Sequence, residues 1–248
     1  MKLVGVRGVS KVFANGVKAL VDVSLDVGAG EFVSVLGPSG CGKSTLLRLI
    51  AGLAEPTTGA IEWPDERNRT DLGFVFQEPT LMPWATALAN VVLPLKLQGM
   101  ARSEREMRAA EALGSVGLKG FERTWPRELS GGMKMRVSLA RALVVEPRLL
   151  LMDEPFAALD EITRHHLNDD LLELWQRSGI TVVFVTHSVF ESVFLSQRIV
   201  VMAARPGRVS VELAVTEPYP RDAAFRTSAE YAAWCRQASS RLADAMAA

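Results

Sequence analysis

Gly37-Pro-Ser-Gly-Cys-Gly-Lys-Ser-Thr45 fits the phosphate-binding pattern G-x-x-x-x-G-K-[ST] at every fixed position. The apolar segment at 31–36 predicts a buried strand before it, and the apolar segment at 46–52 predicts a helix after it. A strand, a glycine-rich loop and a helix form the context in which this motif holds phosphate groups. The stretch therefore predicts a nucleotide site on an α/β fold.

The composition of the loop explains how it would hold a phosphate. Gly37, Gly40 and Gly42 allow the backbone to turn so that successive N–H groups surround an anion at the positive end of a helix dipole. Lys43 would reach the β- and γ-phosphates, and the Ser44 hydroxyl would ligate Mg²⁺. An ordinary glycine turn before a helix is the alternative, although a chance match is rare at average residue usage. The candidate nucleotide-binding residues are Gly37, Pro38, Ser39, Gly40, Cys41, Gly42, Lys43, Ser44 and Thr45.

The composition of the chain limits its partners and its compartment. The 248 residues contain 28 Lys and Arg and 28 Asp and Glu, so no net charge attracts nucleic acid or an anionic membrane surface. The apolar runs are shorter than the ~20 residues that span a bilayer, and the N-terminus lacks the apolar core of a signal peptide. We therefore expect a cytoplasmic protein that attaches to membranes through partners.

Predicted strands and helices alternate along most of the chain. Residues 1–30 have the pattern of short antiparallel strands, and the later apolar runs predict a mostly parallel sheet. Between about 85 and 128 the period becomes helical, with Met107 and Leu113 on an apolar face. The predicted later strands are 73–77, 148–152, 181–185, 198–203 and 208–215.

Polar side chains follow the predicted parallel strands, at the edge of the sheet where such folds bind ligands. Asp153 would hold Mg²⁺, and Glu154 would act as the general base that polarises the attacking water. His187 also ends a strand, where a satisfied buried histidine is the alternative to a functional one. Phe13 precedes a turn and is either a core residue at the end of a strand or a ring that stacks on adenine.

Taken together, these residues resemble the ATP-binding subunit of an ABC transporter over positions 1 to about 220. Leu129-Ser-Gly-Gly-Met133 matches the family's signature Leu-Ser-Gly-Gly-Gln at four of five positions, and Met133 departs from it. The resemblance makes Phe13 the adenine-stacking aromatic, Gln77 the Q-loop glutamine and a candidate Mg²⁺ ligand, Asp153 and Glu154 the Walker B pair, 158–160 the D-loop and His187 the switch histidine.

The family resemblance implies a head-to-tail homodimer. Each ATP would lie between the phosphate loop of one copy and Ser130, Gly131 and Gly132 of the other, so that one chain carries half sites. It also implies transmembrane permease subunits and, indirectly, an extracytoplasmic substrate-binding protein. The expected location is the cytoplasmic face of the inner membrane, and no nucleic-acid partner is expected.

The predicted fold class is α/β, with a P-loop NTPase core of ABC type, an antiparallel β subdomain and an inserted helical subdomain. The ABC ATPase domain is predicted at 1–220 and the helical subdomain at about 85–130. A C-terminal helical tail at 221–248 is predicted to pack on the body.

Three segments resemble more specifically the importers of the nitrate, sulfonate and taurine group; they are 77–84, 153–164 and 205–208. The predicted function is ATP hydrolysis that powers the import of a small molecule. The alternatives are the ATPase of an exporter, a soluble ABC ATPase without a transport role and a non-hydrolysing nucleotide-binding regulator. The loop at 77–84 is expected to carry force to the permease, unless Trp84 packs against the helical insertion.

Overall fold

The computed structural model describes residues 1–65 and 71–247. The strands are β1 Lys2–Val12, β2 Lys18–Gly28, β3 Phe32–Leu36, β4 Thr58–Glu62, β5 Leu72–Val75, β6 Leu149–Asp153, β7 Thr181–Thr186, β8 Arg198–Ala203 and β9 Arg208–Ala214. The α-helices are α1 Lys43–Ile50, α2 Ala87–Leu97, α3 Arg102–Ser115, α4 Gly131–Leu143, α5 Glu161–Ser178, α6 Val189–Leu195, α7 Ala223–Arg226 and α8 Ala229–Ala247. A 3-10 helix spans Pro126–Glu128.

The chain divides into two compact units. The first comprises Met1–Thr70 and Trp175–Ala248, and the second comprises Asp71–Leu174. The boundary between them falls within α5. The predicted domain limits at 85, 130 and 220 stay predictions.

The first unit contains an antiparallel sheet with the strand order β2-β1-β4. Val6 of β1 lies opposite Leu25 of β2 on one side and Ile61 of β4 on the other. Alternate residues of β2 are buried, which is the pattern of a sheet with one face on the core. The predicted antiparallel region is therefore confirmed, whereas β4 was not predicted.

The same unit contains the parallel strands β7, β3 and β8 in that order, and β9 pairs antiparallel with β8. Every residue of β3 and β7 is buried. Strands that are buried on both faces are continuous apolar runs, which is why these were recognisable in the sequence. Their carboxyl ends lead into the phosphate loop and into His187.

The second unit combines two parallel strands with a helical part. Leu72 of β5 lies opposite Leu149 of β6, and α2 packs on α3 and α4. The helical period predicted for this region is confirmed, but the predicted position of Met107 on the apolar face is wrong. Met107 is 56% exposed, because α3 packs through Ala109 and Leu113 instead.

The C-terminal residues form α7 and α8 in the first unit. Helix α8 packs on α6 and β8. Its buried positions are Tyr231, Cys235, Ala238 and Ala245. Among the described residues, no helix is long and apolar enough to cross a membrane.

Candidate functional site

The phosphate loop lies between β3 and α1 in the first unit. Gly42, the residue before α1, has φ +93° and gives the helix no side-chain cap. A Cβ atom at this position would lie 2.6 Å from Leu20 Cδ2 and 2.8 Å from the Ala19 carbonyl oxygen. Both the left-handed backbone and the close approach therefore require glycine here. The first backbone N–H groups of a helix have no acceptor within the helix, which is what an anion site requires.

Lys43 is the first residue of α1 and is only 3% exposed. Its ammonium group donates hydrogen bonds to the carbonyl oxygens of Gly37 at 2.8 Å and Pro38 at 3.1 Å. These bonds hold the charge against the loop backbone. The loop thus combines a fixed cation with a helix N-terminus, and both favour phosphate.

A second element supports the phosphate loop and was not recognised as a support in the sequence. The Gly207 amide donates to the Ala19 carbonyl at 3.1 Å, and the Val21 amide donates to the Gly207 carbonyl at 2.9 Å. These bonds join the turn at 205–207 to β2, next to Leu20, which contacts the loop at Gly42. The Pro-Gly pair in the sequence indicated a turn but not its partner.

The structure tests whether Phe13 and His187 are core residues. Phe13 follows β1 in a turn and is 44% exposed, with Lys11 Nζ 5.9 Å from its ring centroid. His187 follows β7 and is exposed. Both side chains are exposed, so the alternative of a buried core residue is wrong for Phe13 and for His187. Their roles toward ATP stay predictions.

The acidic pair lies in the second unit, at the end of β6. Asp153 is the last residue of this buried strand and is 5% exposed. Glu154 follows with φ +46°, a left-handed conformation that costs a residue with a Cβ about 1 kcal/mol or more. Strain of this kind persists where the surroundings over-determine the backbone, and it is concentrated at functional sites.

Gln77 also lies in the second unit, beyond the carboxyl end of β5, and its side chain is exposed. With Ser44 and Asp153 it completes the set of candidate Mg²⁺ ligands. An amide oxygen, a hydroxyl and a carboxylate are hard oxygen donors, which is the chemistry that Mg²⁺ prefers. The donor set therefore fits the metal that the sequence predicts.

The segment Ser130-Gly131-Gly132 forms the start of α4. The Ser130 hydroxyl oxygen accepts a hydrogen bond from the Met133 amide at 3.2 Å and thereby caps the helix. A Cβ atom at Gly132 would lie 2.7 Å from Thr163 Cγ2, so glycine allows the start of α4 to approach α5. Ser130 and Gly131 are exposed and present the N-terminus of the helix to solvent.

Two residues that the sequence analysis did not single out hold the loop at 77–84. The buried Asn90 side chain accepts from the Met82 amide at 2.7 Å and donates to three backbone carbonyls around it. Arg141, near the end of α4, donates to the carbonyls of Pro79 and Thr80, both at 2.9 Å. Burial lowers the pKa of the Arg141 guanidinium. A polar side chain that bonds to backbone groups follows no hydrophobic pattern, so the sequence does not reveal its role.

A groove of about 460 Å³ lies beside this loop in the second unit. Its walls include the apolar side chains of Met82, Val92 and Leu93 and the cationic side chains of Lys96 and Arg105. Trp84, in the same loop, is 74% exposed. The alternative in which Trp84 packs against the helical insertion is therefore wrong.

Comparison with known families agrees with this set of motifs. The sequence matches the ABC transporter family over residues 20–157, which is more than half of the chain. The chain belongs to the ABC transporter ATP-binding family. This ABC ATPase is an ATP-hydrolysing subunit, and its predicted fold class is confirmed.

The ABC ATPase has curated relatives along most of its length. It is 47% identical to an uncharacterised ABC transporter ATP-binding protein of Methanocaldococcus jannaschii, over 96% of this chain and 91% of that protein. It is 47% identical to the nitrate import ATP-binding protein of a Synechocystis species, over 82% and 77% of the two chains. It is 43% identical to an aliphatic sulfonates import ATP-binding protein of Bacillus cereus, over 88% of each.

A solved structure of an ATP-binding cassette is also similar to the ABC ATPase. It is described as a dimer in a post-hydrolysis state bound to ADP and Pi. The TM-score is 0.77 at 36% sequence identity, over 87% of this chain and 100% of that one.

Proposed function

We propose that this ABC ATPase powers the import of a small nutrient through separate permease subunits at the cytoplasmic face of the membrane. The observation that carries the proposal is its 43% to 47% identity to proteins named for nitrate import and aliphatic sulfonate import. The nutrient class is nitrate, a sulfonate, taurine or a related small organic molecule. An extracytoplasmic binding protein and the permease would select the nutrient. This chain would supply the energy of ATP hydrolysis and would not determine which substrate is transported.

The phosphate loop binds the triphosphate of ATP in this proposal. The N–H groups at 37–45 and the Lys43 ammonium surround the β- and γ-phosphates, and the exposed ring of Phe13 stacks on adenine. The burial of Lys43 supports this role, because a charge that is held away from water acts more strongly on a phosphate than an exposed one.

The hydrolytic step uses residues at the ends of strands. Glu154 accepts a proton from the water that attacks the γ-phosphate, while Gln77 and His187 contact the γ-phosphate and its water. Ser44, Asp153 and Gln77 would hold Mg²⁺, which supplies charge neutralisation on the phosphate oxygens when it is bound. The left-handed backbone at Glu154 supports a site that is fixed before the substrate arrives.

Each ATP is shared between two copies of the chain in this proposal. Ser130, Gly131 and Gly132 of the second copy supply a helix N-terminus and a hydroxyl donor for the γ-phosphate. The exposed start of α4 supports this role. The Ser130 oxygen accepts the capping bond, which leaves its hydroxyl hydrogen as a donor.

The permease docks on the second unit, at the groove beside 77–84. The groove is lined by apolar side chains, by Lys96, Arg102 and Arg105 and by Glu106, and this lining suits a short amphipathic cytoplasmic helix. Asn90 and Arg141 hold the backbone of the loop, so that a shift at Gln77 on ATP binding is transmitted to the apolar residues at its other end.

The experiment is reconstitution of the ATPase with a candidate permease and its binding protein, in vesicles that expose the ATPase to added ATP. Import predicts that the loaded binding protein stimulates ATP hydrolysis and that the substrate accumulates on the side of the ATPase. Glu154→Gln is the matched control and should abolish both. Movement of the substrate away from the ATPase side would instead show an exporter, and failure to bind any permease would show a soluble ATPase.

A further inference from the structure

His187 lies two residues before the start of α6, so the position of this helix constrains the position of the histidine. Ser188 caps the helix by accepting from the Glu191 amide at 3.3 Å, and its own amide donates to Thr186 Oγ1 at 2.9 Å. The Thr186 hydroxyl donates to the buried Glu191 carboxylate. The residues on both sides of His187 are thus bonded to the first turn of α6, and the histidine follows any movement of that helix.

The C-terminal tail holds the first turn of α6. The Tyr231 hydroxyl of α8 donates to the Phe190 carbonyl at 3.0 Å. The Tyr231 ring packs edge-on against Phe225 of α7, with the ring centroids 5.1 Å apart. Tyr231 is buried, which raises the pKa of its hydroxyl.

The tail also holds the last turn of α6, through the buried guanidinium of Arg221. Its Nη1 donates to the carbonyls of Val193 at 2.7 Å, Phe194 at 3.2 Å and Ser196 at 2.9 Å. A cation at the carboxyl end of a helix satisfies carbonyl groups that have no partner within the helix. The guanidinium lies 4.2 Å from the centroid of the Tyr219 ring, which fixes it further.

From these contacts we infer that Tyr231 is a positioning residue for His187, while Arg221 anchors the far end of α6, so that the tail affects the rate of ATP hydrolysis. The inference rests on the proposed role of His187 in hydrolysis. Helix α8 also packs on β8, and the hydrogen bonds from Tyr231 and Arg221 to α6 and Ser196 are the contacts through which the tail would act on His187. Loosening the first turn of α6 would displace His187 from its working position and leave the phosphate loop unchanged.

The chain offers a matched pair of substitutions for the test. Tyr231→Phe removes a hydroxyl that donates to Phe190, in the first turn of α6 next to His187. Tyr219→Phe removes a hydroxyl that donates at 2.8 Å to Leu195, at the far end of the same helix. Each variant loses one part-buried hydrogen bond to α6 and keeps its ring. Both should therefore lower the melting temperature by similar amounts.

The measurements are kcat and KM for ATP, below the melting transition of each variant, in the wild-type and His187→Ala backgrounds. Tyr231→Phe should lower kcat about fivefold with KM for ATP unchanged, as expected when one hydrogen bond that positions a transition-state contact is lost. Tyr219→Phe should leave kcat near wild type. In the His187→Ala background, Tyr231→Phe should cause no further loss.

Three results would overturn the inference. They are equal effects of the two tyrosine variants on kcat, no effect of Tyr231→Phe, and an undiminished effect of Tyr231→Phe in the His187→Ala background. Phe225→Leu serves as the second variant if Tyr231→Phe does not fold, because it removes the ring that packs edge-on against Tyr231 and keeps the Tyr231 hydroxyl. A His187→Ala protein with normal ATPase would contradict the proposed role of His187 itself, which is a separate outcome.

Discussion

At the scale of single residues, Glu154 combines two features that are rarely found together. It follows a fully buried strand, and its backbone is left-handed although it carries a side chain. Glycine would relieve the strain at this position, so the carboxylate is retained at a cost in stability of about 1 kcal/mol. The proposed role of Glu154 as general base would account for that cost, because the carboxylate of a general base must meet the water at one fixed point.

Glu154→Gln should keep ATP binding and lower turnover by about 10²- to 10⁴-fold, because the amide preserves the shape of the side chain and cannot accept the proton. Single-turnover release of phosphate measures the loss. Nucleotide affinity and melting temperature are the controls and should match wild type. A variant with near-normal turnover would show that another group is the base.

Burial decided what the sequence left open at individual residues. The sequence allowed Phe13 and His187 to be core residues, and the exposure of both side chains excludes that interpretation. A sequence pattern shows which residues end a strand but not which way the chain then turns. The phosphate loop at 37–45 could be predicted without knowledge of burial, because the spacing of its motif is specific to one backbone shape.

At the scale of elements, the loop at 77–84 is more firmly held than its prolines alone imply. Asn90 of α2 holds its carboxyl half, and Arg141 of α4 holds its middle. Ser130 caps helix α4, so one helix joins the signature segment to this loop. A rigid connection of this type transmits a displacement instead of absorbing it.

Trp84→Ala should leave the ATPase activity of the isolated subunit within about twofold of wild type, because the side chain is exposed and supports no core. Transport, or assembly with the permease, should be lost. Met107→Ala is the control, since it removes another exposed apolar side chain of the second unit that lies outside the loop at 77–84. Equal loss of transport in both variants, or an unfolded Trp84→Ala protein, would remove the coupling role from Trp84.

The elements that could be predicted from sequence are those with a strong local signal. Strands β3, β6 and β7 are mainly apolar runs, and every one of their residues is buried. Strand β4 was missed because Thr58–Glu62 is largely exposed and is a strand only through its pairing with distant β1. Asn90 and Arg141 were missed for the same reason, because their partners are backbone groups that the sequence does not place.

At the scale of the whole molecule, the predicted site residues are distributed over both compact units. The first unit carries the phosphate loop, Phe13 and His187, and the second carries Gln77, Asp153, Glu154 and the signature segment. The family to which the chain belongs supplies the reason to treat them as one functional set. The proposed head-to-tail dimer adds that each ATP needs residues from two copies of the chain.

The most direct test of this account is the ATPase activity of a mixture of two inactive variants, Lys43→Ala and Ser130→Asp. Lys43→Ala removes the cation from the phosphate loop. Ser130→Asp keeps the helix cap, which Asp provides as well as Ser, and places a negative charge where the γ-phosphate of the other copy would bind.

A heterodimer of the two variants has one composite site with both halves intact and one with both halves impaired. Random pairing of equal amounts therefore predicts recovery of about a quarter of wild-type ATPase in the mixture, while each variant alone stays inactive. Heterodimer formation is verified by differential tagging. Verified heterodimers that hydrolyse no ATP would contradict the shared site, and full activity of either variant alone would contradict the role of the residue that was changed.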